Sequence, residues 1–361
     1  MATTDLTQEQ VGAVGAAPDL VELGEISAVS RSPWQLFWLR FREDKVALVS
    51  LGFLILLILI AIFARQVVAL CGAPDPNLAD TKALDIFGTP TGPSTAHWFG
   101  VDEIGRDVFS RVIYGARVSL LVAFVSTGLA TAFGVVTGLL AGYFRGWVDT
   151  LVSRSVDVLL AIPYLLLAVG LAAACSFGNG CIGGLVKPGI PTLIVVIAFT
   201  SWTYMARIVR GQVLSLREKE FIEAARSVGA SDRRIIFSEL LPNLTAPIVV
   251  YATTLLPQVM LYEAALDFLG VGVQPPTASW GQMISAATPN FNTEWWYMLF
   301  PGIALLISVL AFNFVGDAMQ DALNPRATKV GGRRRRRHRL GWLRSGLTTA
   351  VGRGRRLFAR T

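Results

Sequence analysis

The residues that could carry out chemistry are few and far apart in this chain of 361 residues. The two histidines, His97 and His338, lie in different parts of the sequence, and no Cys/His cluster has the spacing of metal ligands. No G-x-x-x-x-G-K-[ST] loop is present to bind nucleotide phosphates, and no G-x-S-x-G sequence marks a serine nucleophile. We therefore expect a protein that is not an enzyme and that needs no metal or cofactor. If ATP drives its work, another chain hydrolyses it.

One acidic residue, Asp157, lies at the edge of a long apolar stretch. A carboxylate at the centre of a bilayer costs about 2.5–3.5 kcal/mol on insertion scales. We therefore expect Asp157 to lie near the inner surface of the membrane and to pair with Arg154, which precedes it by one helical turn. A role as a proton relay is the alternative.

The three cysteines leave two interpretations open. Cys175 and Cys181 flank a short predicted outer loop, where a disulfide could form in an oxidising exterior. The sequence alone does not establish the geometry that a disulfide requires, so the bridged and the reduced forms both remain possible. Cys71 would be left single.

The elements that position these residues are predicted to be membrane-spanning helices. The chain is 53% hydrophobic and only 16% charged, with a mean hydropathy of +0.53. A bilayer core needs roughly 20 apolar residues per helix, whereas barrel strands would alternate over roughly ten. The expected fold class is all-α, a polytopic membrane protein with six transmembrane helices. The predicted spans are approximately residues 46–64, 118–144, 157–177, 189–206, 244–262 and 295–315.

The distribution of charge predicts the orientation. Lys and Arg accumulate before the first span, between the second and third, and between the fourth and fifth, so both termini are expected in the cytoplasm. Residues 1–30 hold five acidic and no basic residues and are predicted to form a disordered tail, followed by a membrane domain at 31–325. The tail 326–361 carries 13 of the 32 basic residues and no acidic residue. We expect it to bind anionic lipid; a solvated tail, or one that binds nucleic acid or another partner, is the alternative. No nucleic acid is expected to take part in the protein's function.

Segment 215–242, between the fourth and fifth spans, is predicted to form two short helices outside the bilayer. Ser215 and Glu218 have the spacing of a capping box, and Gly229 suits the left-handed conformation that ends a helix. Ser231 would cap the second helix and Pro242 would stop it. The apolar faces would consist of Phe221, Ile222, Ala225, Val228, Ile235, Ile236 and Leu240. Such a helix pair either lies on lipid or docks onto a partner.

The same segment resembles the cytoplasmic loop of ABC importer permeases. The E-A-A…G…L-P signature of that family is matched by Glu223, Ala224, Ala225, Gly229, Leu241 and Pro242. In the family this helix pair occupies a groove of the ATPase subunit, so the resemblance implies a coupling role for these residues. Glu239 departs from the pattern, because peptide permeases often have His there; we expect this to affect only the fine contact with the ATPase.

An outer-loop motif narrows the resemblance to the dipeptide/oligopeptide/nickel permease family. Residues 100–111 are similar to its G-T-D-x-x-G-R-D-x-x-S-R block, with Val101 in place of Thr. The charged and glycine positions of the block are Asp102, Gly105, Arg106, Asp107 and Arg111. The charged side chains at 106, 107 and 111 would pair with one another at the outer surface, or contact substrate or a binding protein. Arg154, Asp157 and Pro163 resemble the start of the family's third span.

The resemblance covers roughly residues 35–325 and implies the fold of a type I ABC importer permease in a bacterial inner membrane. It implies a C-type subunit, whose partners would be a B-type permease, two ATP-binding subunits and an extracellular substrate-binding protein. Short peptides are the expected cargo, with nickel chelates and other small solutes as alternatives. Two rival functions remain: an ion-driven secondary transporter with Asp157 as its relay, and a membrane scaffold that transports nothing.

Overall fold

The computed structural model describes residues 33–176, 180–181 and 183–323. Twelve α-helices are found in these ranges, together with short 3₁₀ and π-helical turns and isolated β-bridges, and no β-sheet is present among them. The helices are α1 Pro33–Glu43, α2 Lys45–Ile62, α3 Ala64–Leu70, α4 Val108–Phe144, α5 Gly146–Ala161, α6 Tyr164–Ser176, α7 Ile190–Leu216, α8 Glu220–Ser227, α9 Asp232–Arg234, α10 Leu241–Phe268, α11 Trp280–Ala287 and α12 Trp295–Leu323. The predicted all-α class is confirmed.

Five helices of the described chain are long and apolar enough to cross a bilayer. They are Lys45–Ile62, Val108–Phe144, Ile190–Leu216, Asp232–Phe268 and Trp295–Leu323. The helix pair α5 and α6 gives a sixth span if the pair is counted as one. Four of the predicted spans begin or end within a few residues of these helices, because long apolar runs mark the part of each helix that lies in lipid.

The third predicted span, 157–177, is wrong as a single helix. The chain bends by 93° between α5 and α6, at Ile162 and Pro163. Ile162 has extended backbone angles (φ −92°, ψ 131°), the conformation favoured before proline. Hydropathy located this apolar stretch but carries no information about the direction of the chain within it.

The tightest helix pair is α4 with α7, where three glycines of α4 face α7. A Cβ atom at Gly134 would lie 2.6 Å from the Cβ of Met205, and one at Gly138 would lie 2.6 Å from the carbonyl oxygen of Ala206. Gly142 meets Val213 in the same way, at 2.7 Å. Small residues at four-residue spacing let two helix backbones approach closely in a membrane.

The ends of the chain and the cysteines complete the fold. The predicted tails 1–30 and 326–361 lie outside the described residues. Helix α1, which the sequence did not predict, buries Phe41 (3% exposed) in the core of the transmembrane bundle. A disulfide joins Cys175 to Cys181, and Cys71 is free.

Candidate functional site

Segment 215–242 is helical over most of its length and continuous with the spans on either side. Helix α7 ends at Leu216, α8 follows, and after a turn the chain is helical again over Asp232–Phe268. The turn contains Gly229 with φ +81°, in the left-handed region. This confirms the prediction that Gly229 ends the first helix of the pair.

The predicted capping box is wrong. Ser215 lies inside α7, and α8 begins after Lys219 without any side-chain cap. Glu218 accepts a hydrogen bond from Nη2 of Arg145 at 2.6 Å instead. The local S-x-x-E signal fails because α7 continues past it, so the backbone around Ser215 already belongs to a hydrogen-bonded helix.

The predicted helix stop at Pro242 is also wrong. The π-helical turn Ile235–Leu240 leads directly into α10, with the Leu241 N–H bonded to the carbonyl of Ile236. Pro242 lies in the first turn of α10, a position where a missing N–H is tolerated. Ser231 is the N-cap residue of α9 as predicted, but its side chain makes no capping bond. The second half of the segment is therefore an extension of the fourth long helix, Asp232–Phe268.

Buried apolar side chains fix the segment to the ends of three long helices. Ile222 of α8 is 0% exposed and Ile235 is 1% exposed. They belong to one cluster, whose other buried members are Leu139, Tyr143, Met205, Val209, Val213, Ile236, Leu240 and Leu244. These residues come from α4, α7 and α10 as well as from the segment itself. A displacement of α8 must therefore move all three helices or break this packing.

Polar contacts reinforce the attachment. The Tyr143 hydroxyl donates to Asp232 Oδ1 at 2.5 Å. Arg217 Nη1 donates to the Tyr143 carbonyl at 2.6 Å, and the guanidinium of Arg226 lies 5.7 Å from the centre of the Tyr143 ring. Partial burial, with Arg145 and Arg226 nearby, lowers the pKa of Arg217. The C-terminal end of α4 is thus the polar anchor of the segment.

The outer surface of the segment carries most of the signature residues. The side chains of Glu223 and Ala224 and the turn at Gly229 are exposed, and Ala225 is half-buried. Val228 is 88% exposed, so the predicted apolar face of α8 is only partly correct. Leu241 is half-buried and Pro242 is exposed. The segment therefore combines a buried inner face with an outer face open to contact.

The outer-loop motif forms a buried ionic cluster centred on Asp102. Its carboxylate accepts from Arg106 Nε at 2.7 Å and lies 3.6 Å from Arg111 Nε. Arg111 is 0% exposed and also donates to the carbonyls of Pro76 and Pro276 and to Gln282 Oε1 at 3.2 Å. The cluster therefore joins the start of α4 to the loops before α4 and α11.

The prediction that the charged side chains at 106, 107 and 111 pair with one another is wrong, because their partners are other residues. Asp107 caps α4 by accepting from the Ser110 N–H at 2.7 Å, and its other oxygen lies 2.9 Å from His97 Nδ1. Gly105 links this loop to residue 80, whose N–H donates to the Gly105 carbonyl at 2.8 Å. The sequence did not indicate His97 or Gln282 as partners, because both are brought to the motif only by the folded loop.

The predicted pair of Arg154 with Asp157 is wrong as well. Asp157 Oδ1 accepts from Arg207 Nη2 of α7 at 2.9 Å. Within one helix, a cation placed before an acid is the weaker order of an ion pair. The neighbouring helix supplies a better-placed cation.

A buried acidic pair in α10 was missed. Glu263 and Asp267 are 0% and 4% exposed and lie one helical turn apart. Ser119 donates to Glu263 at 3.2 Å, and the Val273 N–H and the Ser279 hydroxyl donate to Asp267. Their four-residue spacing on one helix face could have indicated the pair. The predicted span ended at residue 262, which placed both acids in a loop.

No group of His, Cys, Asp and Glu residues in the described ranges could hold a metal ion. The geometry provides a set of membrane helices and an exposed element attached firmly to three of them. The matches to known proteins agree with this. Residues 134–329 match the family described as the binding-protein-dependent transport system inner membrane component, and residues 32–81 match the N-terminal transmembrane domain of oligopeptide transport permease C.

The chain belongs to this family of ABC importer permeases. This permease is 40% identical over 295 residues to the dipeptide transport system permease protein DppC of Alkalihalophilus pseudofirmus, with 82% of this chain and 90% of the relative covered. It is 41% identical over 296 residues to the glutathione transport system permease protein GsiD of Escherichia coli O157:H7, with 82% and 91% covered. The C-type resemblance is confirmed, and the permease is a multi-pass inner membrane protein.

The fold of the permease is also that of a solved transporter. The inward-facing MetNI methionine ABC transporter matches with a TM-score of 0.50 at 24% identity, over 60% of this chain and 97% of the other. This similarity concerns the fold alone, and it confirms the expected ABC importer permease architecture.

Proposed function

We propose that this permease forms half of the translocation path of an ATP-driven importer of short peptides. Its partners would be a B-type permease, two ATP-binding subunits and an extracellular substrate-binding protein. The names of the two relatives, which concern dipeptide and glutathione transport, support this cargo class. Both cargoes are short peptides, and metal chelates receive no comparable support from the described residues.

Both termini and segment 215–242 would lie in the cytoplasm. The support is the accumulation of Lys and Arg in the loops on that side, including Arg217, Arg226, Arg233 and Arg234 of the segment. The tail 326–361 would then lie beside the anionic inner leaflet and bind its headgroups.

One observation carries the coupling proposal. The exposed residues Glu223 and Ala224 lie on the same short helix as Ile222, which is completely buried against the ends of the spans. A subunit that binds the outer face of α8 would move α8 with it, and the packing of Ile222 would transmit that movement to the spans. Glu223, Ala224, Ala225, Gly229, Leu241 and Pro242 are the residues to which we assign this role.

The motif residues Asp102, Gly105, Arg106, Asp107 and Arg111 would have a structural role. Asp102 and Arg111 are 0% exposed; Asp102 accepts from Arg106, and Arg111 donates to Gln282 of α11. We propose that the cluster holds the outer loop in place and does not contact the peptide.

The coupling proposal is tested by Gly229→Val in the complete importer reconstituted in proteoliposomes. Space for a side chain is available at Gly229, so the substitution acts on the backbone, where a β-branched residue at positive φ is strained by about 1–2 kcal/mol. We expect ATP-dependent dipeptide uptake to fall by about fivefold or more, with assembly unchanged. Gly52→Val in α2 is the control, since nothing lies within 4 Å of its Cβ position and its φ is ordinary. Wild-type uptake and ATPase stimulation in Gly229→Val would contradict the proposal.

The energy source for peptide uptake distinguishes an ATP-driven importer from an ion-driven transporter and from a scaffold. An ATP-driven importer loses uptake when ATP is removed and keeps it when the proton gradient is collapsed. The opposite pattern would identify an ion-driven transporter, and unchanged cellular peptide uptake after deletion of the gene would identify a scaffold. The family match favours the first of the three.

A further inference from the structure

The break between α5 and α6 lies on the surface of the chain. The two helices meet at 93°, and both Ile162 and Pro163 are exposed. Irregular backbone at membrane depth is tolerated only where protein covers it or where it lines a water-filled cavity, because lipid offers no hydrogen bonds. Broken helices of this kind form solute sites in other membrane transporters. Where the break lies within the bilayer, its exposed backbone must therefore face protein or water.

A cavity of about 350 Å³ lies between α5 and α7, with its α5 lining at residues 152–157, before the break. Its lining residues are Val152, Ser153, Val156, Asp157, Ala206, Arg207 and Arg210. The volume is within the range of about 300–1,000 Å³ that is usual for small-molecule pockets. One acid and two arginines line a space otherwise formed by small and apolar side chains.

The two ion pairs at this cavity differ in strength. Arg210 contacts both carboxylate oxygens of Asp149, one through Nη2 at 2.8 Å and the other through Nε, and these side chains are 33% and 21% exposed. Arg207 makes a single bond to Asp157, and both side chains are 55% exposed. An exposed single-bonded pair contributes about 0–1 kcal/mol, so a ligand that offers the same charges replaces it at little cost. A ligand can therefore replace the contact between Arg207 and Asp157, whereas Arg210 stays bonded to Asp149.

We propose that Arg207 and Asp157 bind the two free ends of a peptide in transit, Arg207 the carboxylate and Asp157 the ammonium group. This inference rests on the proposed function and names the residues that would contact its cargo. A guanidinium binds a carboxylate through two parallel hydrogen bonds, which is stronger than its present single bond. A zwitterion supplies both charges at once, so neither side chain is left without a counterion.

Aromatic side chains are found on α7 and just after the break. Tyr204, about one turn from Arg207 on α7, is 53% exposed. Tyr164, the first residue of α6, stacks on Tyr262 at 3.8 Å between ring centroids, and its hydroxyl lies 3.3 Å from Ser201 Oγ. The exposed ring of Tyr204, three residues from Arg207, offers an amphipathic surface to a peptide side chain.

The test is a double-mutant cycle in the complete importer in proteoliposomes. Initial uptake of a free tripeptide is measured for wild type, Asp157→Asn, Arg207→Gln, the double variant and Arg154→Gln. The last removes an exposed charge of α5 that does not line the cavity. We expect each single change at the cavity to lower uptake about fivefold, the double variant to show roughly the product of the two losses, and Arg154→Gln to match wild type. Co-purification of the partner subunits should be unchanged in every variant.

Each contrary result has a distinct meaning. If the double variant is no worse than either single variant, the pair is only a structural contact, and the inference is overturned. If the variants lose the second permease during purification, the pair belongs to the interface between permeases, which also overturns it. If no variant differs from wild type, the cavity does not contact the cargo. If wild type itself fails to import any peptide with ATP, the proposed function fails and the inference fails with it.

Discussion

Tyr143 at the end of α4 donates its hydroxyl proton to Asp232, the first residue of α9, at 2.5 Å. Since the two residues are 89 positions apart in the chain, this bond ties the second long helix to the start of the fourth. The same tyrosine packs in the apolar cluster beneath α8. A single side chain thus connects a span to the exposed segment that we assign to coupling.

Replacing Tyr143 by Phe should weaken coupling and leave the apolar packing in place. Loss of the hydrogen bond from Tyr143 to the exposed carboxylate of Asp232 should cost about 1 kcal/mol. This corresponds to roughly a fivefold change in the equilibrium between attached and detached segment. We expect fewer peptides imported per ATP hydrolysed, measured as the ratio of uptake to phosphate release. Tyr114→Phe on the same helix is the matched control, and an equal ratio in the two variants would remove the role given to the Tyr143 hydroxyl.

Ile222→Ala should detach α8 from the spans. Removal of this fully buried side chain leaves a cavity and costs about 2–5 kcal/mol. Trypsin should then cleave at the exposed Arg226 more than tenfold faster, because local opening becomes more frequent. Val228→Ala, at a position 88% exposed, should leave the cleavage rate almost unchanged. Similar rates in both variants would mean that Ile222 is not the anchor of α8.

Gly138→Val should disrupt the contact between α4 and α7. Its Cβ would lie 2.6 Å from the Ala206 carbonyl and 2.8 Å from the Val209 Cβ, neither of which can yield without a helix shift. Overpacking of this kind costs about 1–3 kcal/mol. The apparent melting temperature of the detergent-purified importer should fall by about 4 °C or more, whereas Gly128→Val, with nothing within 4 Å, should melt near wild type. Equal apparent melting temperatures for Gly138→Val and Gly128→Val would contradict the close packing of α4 on α7.

Asp102→Asn should destabilise the outer loop without a specific effect on the cargo. The change leaves the buried guanidinium groups of Arg106 and Arg111 without their carboxylate, at a cost of about 3–5 kcal/mol. We expect a lower yield of folded permease, measured by fluorescence-detected size exclusion. The exposed neighbour provides a control, Glu103→Gln, which should give a normal yield. A normal yield of Asp102→Asn combined with lost uptake would instead indicate a contact with substrate or binding protein.

The sequence predicted the features that depend on local pattern. Apolar runs located the long helices, and the spacing of Gly229 within its motif predicted the left-handed turn that is observed. Local patterns failed where a larger element overrode them. Ser215 lies inside α7 and does not cap a helix, and Pro242 lies in the first turn of α10 and does not end one.

Pairings across the fold could not be predicted in the same way. Asp157 bonds to Arg207, 50 residues away, and Arg111 to Gln282, 171 residues away. Charge alone indicated that each needed a partner, but several partners of suitable charge exist in the sequence. The choice depends on which helices are neighbours, and the packing of α4 on α7 and the bend at Pro163 set that arrangement.

The central claim is that the exposed face of α8 contacts an ATP-binding subunit. It is tested most directly by placing a photoactivatable thiol reagent on Ala224→Cys, in a Cys71→Ser background, within the complete importer. Val49→Cys on the exposed side of α2, 74% exposed, is the control position. We expect a covalent adduct between this permease and the ATP-binding subunit from position 224, with a yield that changes on ATP binding, and none from position 49. Equal or absent adducts from the two positions would contradict it.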